Sequence, residues 1–221
     1  MDTDTVTLFF ALLATLAQVA VVVAIVLWVG ALVSPTMARA KRSLVAQIGP
    51  QALTMAAVVA LVCTLGSLYL SEVAHFPPCR LCWYQRVAMY PLVVVLGVAA
   101  ARRSPHDPAG ARADDTARLT GVILAGLGSC ISVWHLLVER YPDLASSSCD
   151  PDNPCSIRWV ERLGYLTIPG MALSGFALIV VLLAAAHPVP LEDIRDQPSA
   201  ARLPAARPHT PDSRASEPAG R

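Results

Sequence analysis

Apolar residues fall in five long runs along this chain, and polar residues collect in the gaps between them. The runs cover roughly residues 7–33, 52–73, 83–100, 119–138 and 166–187. Crossing a bilayer core takes about 20 apolar residues as a helix, so the pattern predicts five transmembrane helices, the first long enough to tilt. That first run is expected to stay in the mature protein. Met1-Asp2-Thr3-Asp4-Thr5 puts acid where a secretory signal has base, and the apolar core is too long, although Ala38-Arg39-Ala40 has the form of a cleavage site. The tail, 188–221, is rich in Pro, Ala, Arg and Asp and is expected to be disordered. The domain reading is therefore an extra transmembrane helix and basic cytoplasmic loop over 1–50, a four-helix membrane domain over 51–187, and the tail.

Composition agrees with this all-α integral membrane class. Hydrophobic residues make up 55% of the chain and charged residues 15%, too apolar for an ordinary soluble domain. A formal net charge of +1 gives no electrostatic case for nucleic acid, so membrane lipid is the expected surroundings. No P-loop, dinucleotide fingerprint or zinc-protease motif occurs. The distribution of charge says more than its sum. Arg39, Lys41 and Arg42 lie in 34–50 without acid; Arg102, Arg103, Arg112 and Arg118 lie in 101–118 beside Asp107, Asp114 and Asp115; Arg195, Arg202, Arg207, Arg214 and Arg221 lie in the tail. The positive-inside rule counts Lys and Arg and assigns these three segments to the cytoplasm. The N-terminus and the segments 74–82 and 139–165 then lie outside.

Those two outer segments hold four of the six cysteines. Cys79 and Cys82 stand in Phe76-Pro77-Pro78-Cys79-Arg80-Leu81-Cys82-Trp83-Tyr84-Gln85-Arg86. The two prolines disfavour helix before Cys79, so a helix is expected to begin at the cysteines and run through Trp83 to Ala100. Unpaired N–H groups at such a start favour thiolate, the reactive form of cysteine. Arg86 follows Cys82 by four residues, hence on the same helix face and about 6 Å along the axis. There its guanidinium could support a Cys82 thiolate or hydrogen-bond the oxygen of a carrier such as a quinone. An arginine at this depth is costly and calls for a reason; a snorkelling interfacial cation is the plain alternative. Gln85 adds a neutral polar group, Trp83 and Tyr84 suit the interfacial belt, and Pro91 is expected to kink the helix.

The second couple, Cys149 and Cys155, encloses Asp150-Pro151-Asp152-Asn153-Pro154, turn-forming residues that allow the sulfurs to meet. A bridge there could serve redox chemistry or simply staple the loop. The four thiols could also form a zinc site, which would leave the buried Arg86 unexplained, so no metal is expected. Cys63 and Cys130 fall inside spans and read as small apolar residues. His135, near the outer end of the fourth span, could bond a carrier's head group or a backbone partner. His75, before the two prolines, reads as solvated.

These residues resemble the DsbB family of membrane disulfide-forming proteins, and its BdbC-like branch most of all. The resemblance covers roughly 52–187 and is carried by Cys79 through Arg86, by Met89-Tyr90-Pro91-Leu92, and by Cys149 through Cys155 followed by Leu163-Gly164-Tyr165-Leu166-Thr167-Ile168-Pro169. It implies a four-helix transmembrane bundle, here with one extra N-terminal helix. It further implies a quinone-dependent oxidoreductase of a bacterial cell membrane, which reoxidises a thioredoxin-fold thiol oxidase and passes the electrons to ubiquinone or menaquinone. By position, Cys149 would form the mixed disulfide with that partner and Cys155 would exchange with Cys79. Cys82 would face the quinone, with Arg86 assisting and Gln85 and His135 nearby. A vitamin K epoxide reductase-type enzyme is the main rival, but in that type the loop pair precedes the CxxC. A carrier sending reducing power outward would need paired cysteines within the spans. A non-enzymatic membrane protein with structural disulfides or a four-cysteine metal site is the remaining alternative.

Overall fold

The computed structural model of the chain describes residues 3–102, 108–145, 149 and 153–186. Among these, five helices are long and apolar enough to cross a membrane. Helix α1 spans Thr3–Val33, α2 Pro35–Ile48, α3 Ala52–Leu68, α4 Arg80–Arg102, α5 Pro108–Arg140 and α6 Ile168–Ala185. A short antiparallel hairpin, β1 (Glu161–Arg162) and β2 (Leu166–Thr167), leads into α6, with Arg162 opposite Leu166. The expected disordered tail lies outside the described residues.

Two segments that hydropathy marks as loops are largely helical. The basic segment 34–50 forms α2, which starts at Pro35 after an extended Ser34 and continues through a 3-10 turn into α3. Proline at a first helical position costs nothing, because that N–H has no intrahelical partner. Lys41 lies over the Trp28 ring at 5.8 Å, so the basic face of α2 folds back on the end of α1. Likewise α5 begins at Pro108 and carries helix through most of the expected 101–118 loop. Both differences have one cause: hydropathy marks where a helix can meet lipid, not where it stops.

Helices α3, α4, α5 and α6 close a four-membered ring, each packing on its neighbours, and α1 lies outside it against α6. Leu92, Leu96, Phe176, Ile179 and Leu183 are fully buried at the centre. Close approach depends on small residues, as expected where lipid removes the hydrophobic drive between helices. A Cβ on Gly128 of α5 would collide with the Phe176 ring of α6. Helix α4 runs unbroken through Pro91. At its other end α3 finishes in a π-helical turn, Tyr69–Val73. His75, exposed and at φ 56°, takes the left-handed conformation that ends the turn before the two prolines.

A candidate thiol–disulfide centre

Cys79 is the residue from which α4 starts. Its carbonyl accepts the Trp83 N–H at 3.1 Å, the first helical bond, and its Sγ accepts the Cys82 N–H at 3.4 Å. Cys79 thus caps the helix with sulfur, as serine or aspartate does with oxygen. The Cys82 sulfur stands one turn on, 3.1 Å from that of Cys79. On the other side His135 Nε2 comes within 3.6 Å of Cys79 Sγ. The Cys82 thiol, above all, and then His135 hold the Cys79 thiol down from 9.0 to about 4, against the opposing effect of burial. Thiolate character therefore sits on Cys79. Sequence spacing points instead to Cys82, beside Arg86; the cap and the histidine reach the first cysteine.

The outer couple, Cys149–Cys155, is bonded, with Cα atoms 5.9 Å apart. Asp150, Pro151 and Asp152 of its enclosed turn lie outside the described residues. Cys155, 1% exposed, packs with Cys79, Leu81 and Val138 in one cluster, against which Cys82 and Cys149 also rest. His135, 2% exposed, joins the couples directly, because the Nε2 that faces Cys79 also lies 3.1 Å from the Cys155 carbonyl. The loop is fastened to the entry of α4 as well: Phe76 stacks on Trp159 with centroids 5.8 Å apart, and Asn153 Nδ2 meets the Pro77 carbonyl at 3.5 Å.

One turn beyond His135 on α5, Glu139 is buried and accepts the Thr167 hydroxyl at 2.8 Å. Cys79, Cys82, His135 and Glu139 line a small cavity of about 20 Å³, room for one water among polar partners. Sequence reasoning passes over Glu139. Its signal is the four-residue spacing from His135, which sets a carboxylate and an imidazole on one face of a helix end.

Arg86 directs its hydrogen bonds to a neighbouring helix rather than to a sulfur. It is buried, donating through Nε to Ser67 Oγ at 2.9 Å and through Nη2 to the Ser67 carbonyl at 3.0 Å, with its guanidinium over the Trp83 ring at 5.1 Å. Gln85 donates to Ser132 Oγ at 3.1 Å. Neither serine is marked by the sequence, since each lies in an apolar run and only packing brings it opposite α4. Arg86, Gln85 and Cys82 together border a second cavity, of about 460 Å³. Tyr90 borders it too, and its hydroxyl is buried without a partner among the described residues. His135 does not border this cavity; it stands behind Cys79, between the couples. Cys82 is thus the sulfur common to both cavities.

The Cys79 and Cys82 sulfurs and a His135 nitrogen lie within 4.8 Å of one another, close enough to hold a metal ion, whereas the bonded outer pair removes two of the four thiolates that a four-cysteine site needs.

Comparison with known proteins follows the same residues. The family model for disulfide bond formation protein DsbB matches residues 49–186. "Disulfide bond formation protein C" of Bacillus subtilis (strain 168) is 39% identical over 127 residues, 57% of this chain and 85% of the relative. A "probable disulfide formation protein" of Oceanobacillus iheyensis is 37% identical over 57% of this chain and 81% of its own length. Another, from Halalkalibacterium halodurans, is 33% identical over 56% and 84%. No solved structure gives a significant match. With its helical bundle, five membrane-length helices and the family match over the bundle and both cysteine couples, this chain belongs to the DsbB family of disulfide bond formation proteins.

Proposed function

We propose that this multi-pass membrane protein reoxidises an extracytoplasmic thioredoxin-fold thiol oxidase and passes the electrons to a membrane quinone, ubiquinone or menaquinone, so supporting disulfide formation in exported proteins. The observation that carries the reading is the packing of both couples into one cluster, with Cys82 bordering the larger cavity beside Arg86.

The outer couple receives the electrons. A partner thiolate attacks Cys149, forming a mixed disulfide and releasing Cys155 as thiolate. Cys155 attacks Cys79, the Cys79–Cys82 bond breaks, and Cys82 leaves. The partner's second thiolate then attacks the mixed disulfide and departs oxidised, freeing Cys149. Cys149 attacks Cys155, re-forming the outer bridge and expelling Cys79. Two electrons and two protons have moved from the partner to the inner couple. Exchange is fastest when the leaving thiol has a low pKa; here the helix cap, the Cys82 thiol and His135 provide that at Cys79. Glu139 and the small cavity beside His135 offer a route for the protons.

The residues of the larger cavity fit a quinone. Its volume is in the range of small-molecule sites, its lining is apolar apart from a few groups, and those include a guanidinium and an unpartnered phenol. A bound quinone would supply the two-electron acceptor, with Arg86, Gln85 and Tyr90 holding its oxygens.

The proposed orientation puts the cysteines outside a bacterial cell membrane and the basic α2 and tail inside. The ion pair of Arg162 with Asp4 supports it, since this brings the start of α1 to the cysteine end of the bundle. The decisive experiment follows quinone reduction by a reduced thioredoxin-fold protein, with each of Cys79, Cys82, Cys149 and Cys155 replaced by serine in turn. Turnover should vanish in all four; retained turnover in Cys82→Ser refutes the scheme.

A further inference from the structure

The cavity beside Cys82 has a wall that the family match does not reach. The match begins at residue 49, yet Leu13, Leu16, Ala17 and Ala20 of α1 line the same cavity as Cys82 and Arg86. Helix α1 is held there by polar contacts, which in an otherwise apolar helix demand a partner and so fix register. Near its start Thr7 Oγ1 accepts Arg162 Nη2 at 2.8 Å and Nε at 3.1 Å, and Asp4 pairs with the same guanidinium. Three turns on, Gln18 donates to Ser174 Oγ at 3.0 Å and accepts the Tyr165 hydroxyl at 2.8 Å. Between these pins Ala11, Ala14 and Ala17 are buried, and Ala11 and Ala14 pack with Leu166 of β2 and Met171 in the first turn of α6.

The cavity is also long and changes character along its length. On α3 it runs from Ser67, which holds Arg86, to Met55, about 18 Å along the helix axis at 1.5 Å per residue. Its polar groups gather at the Cys82 end; the α1 side and the far end, by Met55, Leu178 and Leu182, are apolar. A ring would occupy only the polar end. We infer that α1 is the tail-binding wall of the quinone site, so that this chain selects quinones carrying an isoprenoid chain over the bare ring. The inference rests on the quinone reading above and extends it to residues outside the family match.

The test uses the full-length protein in lipid nanodiscs and reads quinone binding by quenching of intrinsic tryptophan fluorescence, Trp159 being at the cavity. The probes are methyl-naphthoquinone and dimethoxy-benzoquinone rings, each without a tail and with a four-isoprene tail. The variants are Ala17→Phe, which fills the α1 side, and Gln18→Leu, which removes the second pin without adding bulk. For whichever ring binds, the wild type should favour the tailed probe. Both variants should weaken the tailed probe by about tenfold, the equivalent of losing burial for roughly two methylenes, and leave the bare ring within about twofold. Equal weakening of both probes, or no weakening of the tailed one, overturns the role of α1 while leaving the quinone reading intact. Failure of the wild type to bind either tailed probe overturns both.

Discussion

The two cysteine couples share residue types and differ in everything that surrounds them. The inner couple is built into a helix start, with Cys79 as cap and Cys82 one turn below it. The outer couple sits in a loop, fastened among the described residues by the Phe76–Trp159 stack, the Asn153–Pro77 hydrogen bond and the contact of His135 with the Cys155 carbonyl, with Cys155 buried and Cys149 half-exposed. One end of this chain of sulfurs is thus half-exposed, and the other borders the larger cavity. On the proposed reading, the contrast assigns fixed geometry to the step where electrons meet a small carrier, and a tethered loop to the step where they are collected from a protein.

The largest effect that can break this comparison is loss of the sulfur shared by both cavities. Cys82→Ser should abolish quinone-dependent turnover and leave the Cys79 thiolate to attack the outer bridge at Cys155, releasing Cys149 and trapping a Cys79–Cys155 disulfide visible on non-reducing gels. Next is Arg86→Met. Removing a charge-assisted hydrogen bond costs about 1.5–3 kcal/mol, so quinone reduction should fall by roughly 10- to 100-fold. Stopped-flow exchange between the couples should slow much less, since the hydrogen bonds of Arg86 go to Ser67 and not to a sulfur.

His135→Ala sharpens the account of where thiolate resides. In a protein lacking the outer couple (Cys149→Ser, Cys155→Ser), alkylation of reduced Cys79 should stay fast as pH falls and decline only near pH 4, because its pKa is lowered to about 4 and the thiolate persists above that value. Without the imidazole the decline should move to higher pH, since one of the groups favouring thiolate is gone, and inter-couple exchange should slow by about tenfold. The smallest effect is expected from Trp159→Ala. Loss of the stack on Phe76, worth about 1 kcal/mol, should slow transfer from the outer to the inner couple by roughly fivefold and leave Cys79 alkylation unaltered.

Several of these features are legible in the chain. The prolines at 77 and 78 announce the start of α4, and the apolar runs announce five membrane-length helices. Other features are invisible for a definite reason. Ser67 and Ser132 lie in apolar runs, and nothing local distinguishes them from other small residues in membrane helices; their use depends on which helix stands opposite. His135 reads by position as able to bond a carrier's head group or a backbone partner, and helix rotation decides that it faces Cys79 and the Cys155 carbonyl.

Hydropathy alone determined the five membrane-length helices and the membrane class, and spacing singled out the two cysteine couples, because these follow from local periodicity and from the cost of polar groups in lipid. Only the tertiary structure decided which thiol holds the negative charge, that His135 stands between the couples, and that α1 lines the cavity beside Cys82. Each of these depends on groups far apart in sequence meeting within a few ångströms, and such distances are set by helix packing and rotation.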